Sequence, residues 1–441
     1  MPINGRPALR ASGVSVVNFI FLLSISTIRF FPPLHFRGCA ANAFVANSPG
    51  GGGSQVRAGG WSGAQYSTFR VLLGSLVLLR LVYSAAAYAL PAKGSVFWLV
   101  AWVPSLFSRP VSDGTVSAFL AVGALVAVPF ILGWKDRLLA PLLAWLLFSL
   151  HQYSPEAGGG SPAALGLLML LHALLPSAPY GSWDAIGRVD PGGHWQFRPL
   201  LYRVAWGLFL VVWANGIVGR IINAMDATTY YGLAKFAALG LFGLLGAIEF
   251  VAIIFLYRNG SRRKGWLVLV ACWFVWLIFL GLSHANEGLL LLLLFQFDPG
   301  WVRPVALGKK EYVFYDGDCG LCHRAVRFLL AEDRAGTLLF APLQGTTVAE
   351  RIPEDRRARL PDSIVFQRAD GRVSIHSQAV FAILLRLGGL HRVLGIALGA
   401  MPKGPADAAY KAVARSRKKM FEKPAEACPI VPKHLKAKFL A

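Results

Sequence analysis

The sequence is short of charge and of cysteine, and each shortage excludes a class of protein. Of 441 residues, 15% are charged and 55% are hydrophobic, where roughly 25% charged is usual for a soluble domain. With a mean hydropathy of +0.53, this is no ordinary soluble globular chain. The five cysteines, Cys39, Cys272, Cys319, Cys322 and Cys428, are too few and too scattered for a disulfide-stapled secreted fold. A second Cys-x-x-Cys is absent, although structural zinc sites usually draw four ligands from two such pairs. Residues 1–64 lack Asp and Glu altogether, and the stretches 153–161, 223–230 and 284–287 lack Lys and Arg.

What charge there is lies unevenly. From Arg303 to the end, 24 Lys and Arg stand against 13 Asp and Glu, so a membrane part is followed by a soluble part. The formal net charge of +22 is of a size that nucleic-acid binding produces. In a membrane protein, basic residues instead hold loops on the cytoplasmic side, and nucleic acid is not expected as a partner. Residues 1–64 carry five arginines, the apolar run Val14–Ser26 and the Gly-rich stretch Ser48–Gly60. An organellar transit segment, an uncleaved signal-like anchor and a misplaced start codon all fit. Each makes 1–64 an extension outside the folded protein.

Apolar segments recur from Arg70 to Trp301, with candidate crossings at 71–92, 116–133, 138–152, 162–176, 200–222, 231–257, 266–283 and 286–300. Several fall short of the ~20 residues that span ~30 Å of hydrocarbon. The stretch Ser95–Phe107, with Trp98, Trp102 and Phe107, reads as interfacial. Placing the N-terminal side inside puts Lys135, Arg137, Arg188, Arg198, Arg258, Arg262, Arg263 and Lys264 in cytoplasmic loops. Eight crossings then leave the C-terminal domain in the cytoplasm. Polar groups at membrane depth are costly and mark functional candidates: Arg80, His151, His172, Asn215, Glu249 and His284. Each has a bland account. Arg80 and Glu249 can pair with each other or snorkel, His151 and His284 lie near predicted ends, and Asn215 can hydrogen-bond across helices.

After Arg303 the period changes. A strand over 311–315 leads through Asp316-Gly317-Asp318 into a helix over 319–333. A strand over Thr337–Ala341, a charged helical stretch over 346–360 and a strand over Ser363–Arg368 follow. Asp370-Gly371 reads as a hairpin turn to Arg372–His376, with helices at Gln378–Leu387 and about 390–419. This is the order of a thioredoxin-like fold.

Cys319-Gly320-Leu321-Cys322 opens the first of these helices. Orphan N–H groups and the helix dipole stabilise a thiolate at such a terminus, and the thiolate is the attacking species in thiol–disulfide exchange. Cys319, nearer the helix start, is the expected nucleophile, and Cys322, one turn in, the resolving thiol. Asp316 and Asp318 are supporting candidates. A nearby carboxylate raises a thiol pKa, shuttles a proton or caps the turn. Pro361, before Asp362-Ser363-Ile364-Val365, stands where thioredoxin-like folds place a cis-proline facing the disulfide; a plain prolyl turn accounts for it equally. Zinc ligation through His323, Cys428 or His434 is the competing chemistry, but no metal is expected.

The run Tyr-Val-Phe-Tyr-Asp-Gly-Asp-Cys-Gly-Leu-Cys-His-Arg-Ala-Val-Arg, Tyr312–Arg327, resembles the opening signature of the DCC family of thiol–disulfide oxidoreductases. Asp362–Phe366, Ser377–Gly389 and Tyr410–Arg417 extend the likeness over most of 310–441. It implies the thioredoxin-like fold and a redox-active dithiol. The membrane part is similar, more loosely, to the HTTM domain, shared with vitamin K-dependent γ-carboxylase. The matching features are Arg70, the 145–176 pair around a Gly-rich loop, Asn215-Gly216 and Phe295–Trp301. Where that family often has a lysine after the glycine, this chain has Arg220, a poor base.

The expected protein is thus a multi-pass α-helical membrane bundle plus a C-terminal α/β thioredoxin-like domain. Its parts are an extension (1–64), an HTTM-like bundle (65–302) and a DCC-like domain (310–441). It is expected to act as a membrane-bound thiol–disulfide oxidoreductase on an unidentified thiol or disulfide substrate. Membrane lipid is its other partner, no cofactor is required, and a quinone-like lipophilic ligand is a candidate for the bundle. The alternative is a membrane-domain enzyme or transporter with the soluble domain as a regulatory or scaffolding module.

Overall fold

The computed structural model describes residues 61–86, 99–107, 112–154, 161–193, 195–197, 199–226, 233–257, 260–280, 287–303, 309–317, 320–333, 335–420 and 433–441. Among the described residues, eight apolar helices form the first part: α1 (Gly63–Ala86), α2 (Asp113–Leu132), α3 (Asp136–Tyr153), α4 (Ser161–Leu174), α5 (Pro199–Asp226), α6 (Leu233–Tyr257), α7 (Arg262–Leu280) and α8 (Glu287–Phe295). All eight overlap the expected apolar segments. Within them Gly63–Ala86, Asp113–Leu132, Leu200–Ile217 and Leu239–Tyr257 are long and apolar enough to cross a membrane. At 1.5 Å per residue, α4 is only ~21 Å long. Side chains such as Leu125, Leu138, Phe236 and Ile278 point outward and exposed, as apolar outer faces do where lipid replaces water.

The bundle starts earlier than expected. Trp61 is buried against Phe69 and Phe295, so 61–64 belong to the bundle and not to the extension. Helix starts and stops follow local chemistry. The Ser112 hydroxyl accepts from Thr115 N at 3.3 Å and caps α2, and Gly133 ends that helix with φ 74°. A Cβ at Gly133 would also strike the Arg70 guanidinium. At Gly265, in α7, a Cβ would strike the backbone of α6 at Ala252, Phe255 and Leu256. Glycine there sets the approach of the two helices, the usual role of small residues between membrane helices.

The described residues of the second part hold four strands: β1 (Glu311–Tyr315), β2 (Leu338–Pro342), β3 (Val365–Gln367) and β4 (Val373–Ile375). The sheet order is β2-β1-β3-β4, with β1 parallel to β2 and antiparallel to β3, and β3 antiparallel to β4. Its helices are α9 (Gly320–Glu332), α10 (Thr346–Arg351), α11 (Glu354–Arg357), α12 (His376–Leu387), α13 (Gly389–Gly399), α14 (Lys403–Met420) and α15 (Lys433–Lys436). Alternation along β1 builds two cores. Val313 and Tyr315 pack with Val326, Leu329 and Ile383, while Phe314 packs with Val348 and Ile352. The helix expected over about 390–419 is two, broken at Ala400–Pro402 because Pro402 cannot supply the N–H that continuation needs. The chain end was not foreseen as sheet. Phe340 N donates to Lys438 O and Leu440 N to Phe340 O, each at 2.8 Å, which covers the outer edge of β2.

Candidate redox site and the buried polar clusters

β1 aims the chain at the site. Its last residue, Tyr315, is tied to the far end of β2 by Leu343 N donating to Tyr315 O at 2.8 Å. Asp316 and Gly317 turn the chain, and α9 is described from Gly320. Cys322 lies in the first turn, 3% exposed, in the core with Val313, Tyr315 and Val326. Cys319, Asp318 and Cys428 lie outside the described residues, as do the side chain of His434 and the whole of His284. The turn is braced twice. Gln344 Nε2 donates to the buried Asp316 at 3.4 Å, and His323 Nε2 donates to Gly317 O at 2.9 Å. A carbonyl only accepts, so His323 Nε2 carries a hydrogen and is not a free metal-ligating nitrogen. The Tyr315 and His323 rings meet edge-on at 5.8 Å.

Pro361 accepts from Ser363 N at 2.8 Å in the turn before β3. Among the described residues no peptide bond is cis, so the bond into Pro361 is trans. This corrects the cis-proline expectation: a prolyl turn satisfied by its own following N–H accounts for the residue.

Helix α9 rests directly on the helical bundle. At its end, the buried Glu332 accepts from Ser62 Oγ at 2.5 Å and from His391 Nε2 at 2.8 Å. Arg327 donates to Arg188 O, and Tyr180 Oη donates to Arg324 O at 3.4 Å. Gly389 N donates to Val302 O at 2.7 Å. Enclosure in this contact pushes the Tyr180 hydroxyl up to about 12 and lowers the Arg324 guanidinium below its ordinary value.

The bundle places the remaining candidates in four separate settings. Arg80 bonds Glu287 through Nε at 2.7 Å. Glu249 accepts instead from the indoles of Trp213, at 2.9 Å, and Trp276. The expected Arg80–Glu249 pair is therefore corrected: each has a nearer partner on another helix. Asn215 is exposed on α5. His172 sits in a buried cluster with Tyr66, Arg70 and Asp136. Asp136 Oδ2 lies 3.3 Å from both Arg70 Nη1 and His172 Nε2, and Tyr66 Oη lies 2.6 Å from His172 Nδ1. With Nε2 carrying a hydrogen toward the carboxylate, Nδ1 accepts from the Tyr66 hydroxyl. Tyr66 and Asp136 were not foreseen. The available signal was Asp136 itself, an acid at a helix start between Lys135 and Arg137.

The model of the family described as DCC1-like thiol-disulfide oxidoreductase matches residues 313–423, leaving the helical bundle outside the match. The uncharacterized protein YuxK of Bacillus subtilis (strain 168) is 33% identical over 135 residues, covering 30% of this chain and 94% of the relative. No solved structure matches.

Proposed function

The chain belongs, through its C-terminal domain, to the DCC1-like thiol-disulfide oxidoreductase family, and on that premise we propose that it is a membrane-bound oxidoreductase using Cys319 and Cys322. The observation that carries this reading is a buried Cys322 in the first turn of a helix inside the family match. The sheet order β2-β1-β3-β4 supports a thioredoxin-like domain. The Cys319 thiolate attacks one sulfur of a substrate disulfide, forms a mixed disulfide and releases one substrate thiolate. Cys322, deprotonated, then attacks Cys319 Sγ, closes the intramolecular disulfide and releases the second substrate thiolate, which takes up a proton. The substrate gains two electrons and the dithiol loses two. Asp316 and Asp318 flank this chemistry as supporting groups. In a reducing cytoplasm the resting form is the dithiol and the direction is reduction.

The bundle's HTTM likeness and the docking of α9 upon it support coupling to the membrane. A quinol-class ligand in the bundle would give two electrons and two protons to the Cys319–Cys322 disulfide, leaving quinone and dithiol. Redox titration of the full chain in detergent, read by thiol alkylation, tests the reading. A reversible two-electron couple between about −320 and −120 mV is expected, and Cys319→Ser abolishes it. Two thiols that never oxidise across that range would overturn it. The Tyr66–His172–Asp136–Arg70 cluster favours a second reading, in which the bundle is the enzyme or transporter and the domain regulates it. Bundle activity retained in a Cys319→Ser/Cys322→Ser protein would select it.

A further inference from the structure

We propose that a pocket at the start of α3 and the end of α4 binds the phosphate-bearing headgroup of an anionic phospholipid. The cavity measures ≈ 450 Å³ and its wall carries Arg137, Arg188, Trp195, Gln196 and Ser177, with no acidic residue. It lies outside the redox site.

Its cations are built in. Arg137 opens α3, and its Nε donates to Ala173 O in the last turn of α4 at 3.0 Å, so the guanidinium bridges the start of one helix and the end of the other. Arg188 is held from the loop after α4, its Nη2 donating to Ala178 O at 2.7 Å. A guanidinium has five N–H donors, and these bonds use one on each arginine. Burial lowers the Arg188 guanidinium below its ordinary value, while Asp190 partly offsets this; a bound anion would offset the rest. Trp195 is fixed by Nε1 donating to Pro176 O at 3.0 Å and by stacking on Tyr66 at 5.3 Å. An indole beside arginines at a helix end is the side-chain mixture of a membrane–water interface.

The surface below the pocket separates a lipid from a soluble phosphate. Leu138 and Leu174 stand next in sequence to Arg137 and Ala173, and Leu142 and Leu170 lie one turn further from the pocket. All four are exposed. Acyl chains would cover this strip while the phosphate sits between Arg137 and Arg188. A free phosphate has no use for it. Basic pockets at helix ends that receive lipid headgroups follow the same electrostatics.

The test is native mass spectrometry of the full chain, delipidated in mild detergent at fixed ionic strength. Dioleoyl phosphatidylglycerol and dioleoyl phosphatidylcholine are the probes. One phosphatidylglycerol retained in preference to phosphatidylcholine is expected. Retention should fall roughly fivefold for each of Arg137→Gln and Arg188→Gln, and millimolar inorganic phosphate should displace none. Equal retention of the two lipids by the unaltered protein overturns the site without reliance on any variant. So does unchanged retention in the double variant. Displacement by inorganic phosphate overturns the lipid assignment and makes the pocket a soluble-phosphate site. The Cys319/Cys322 titration is a separate readout, so either proposal can fail alone.

Discussion

Two buried glutamates, one in each part of the molecule, receive different donors. Glu311 opens β1 at 1% exposure and receives Arg386 in a two-pronged ion pair, at 2.6 and 2.9 Å. Glu249, wholly buried on α6, receives the indoles of Trp213 and Trp276. In the C-terminal domain the arginine's cost of leaving water is met by bidentate geometry at the start of the interior strand β1. On α6 the indole N–H donors of Trp213 and Trp276 reach the Glu249 carboxyl without themselves taking a charge out of water. The bundle holds ion pairs as well: Arg70 is wholly buried against Asp136, and Arg80 meets Glu287.

The comparison breaks most visibly at Arg386. Arg386→Met leaves Glu311 buried and unpaired, and should cost about 3–5 kcal/mol of domain stability, read as an early thermal transition of the full chain. Arg386→Met with Glu311→Leu should recover much of the loss.

Glu249→Gln sharpens the other side. Its amide oxygen still accepts from one indole, but its NH₂ faces the second and leaves a donor unmet. A loss of about 1–3 kcal/mol is expected, read from detergent unfolding followed by tryptophan fluorescence. A loss as large as that of Arg386→Met would show that Glu249 is held as an ion pair.

The contact between the two parts gives a smaller, pH-dependent effect. The Tyr180 hydroxyl ionises near 10 when unfolded and at about 12 in the fold. The folded state holds the proton more tightly, so its contribution is full below pH 10 and is lost as pH rises to about 12. Tyr180→Phe should flatten the fall in melting temperature across that range.

The smallest effect lies at Asp407, whose carboxyl is held below its ordinary value chiefly by the Ser377 hydroxyl at 2.5 Å. Such a group stabilises above its unfolded pKa and loses that contribution as pH falls through the lowered folded value. Ser377→Ala should remove this slight acid dependence, measurable as melting temperature between about pH 5 and 3.

How legible the molecule is depends on the range of the forces involved. The eight apolar helices and the order of strands and helices after Arg303 could be read because hydropathy and period are local properties. The break at Pro402 was equally local, and the continuous period on either side hid it. The bridge that Phe439 makes to Phe340 could not be read, because it forms only against the unpaired edge of β2. Of the redox site, Cys319, Cys322 and the turn residues stood in one motif. The Tyr66–Arg70–Asp136–His172 cluster did not, since its members come from three helices.

The sequence by itself determined that this chain has an apolar helical part and a charged α/β part, and that a Cys-x-x-Cys motif stands near the start of the second. Periodicity, composition and a four-residue motif suffice for that. Tertiary structure decided which group answers each buried charge: Ser62 and His391 for Glu332, 270 and 59 residues away, two indoles for Glu249 and Arg386 for Glu311. Partner choice depends on where packed elements bring side chains within about 3 Å, and a linear pattern carries no such distances.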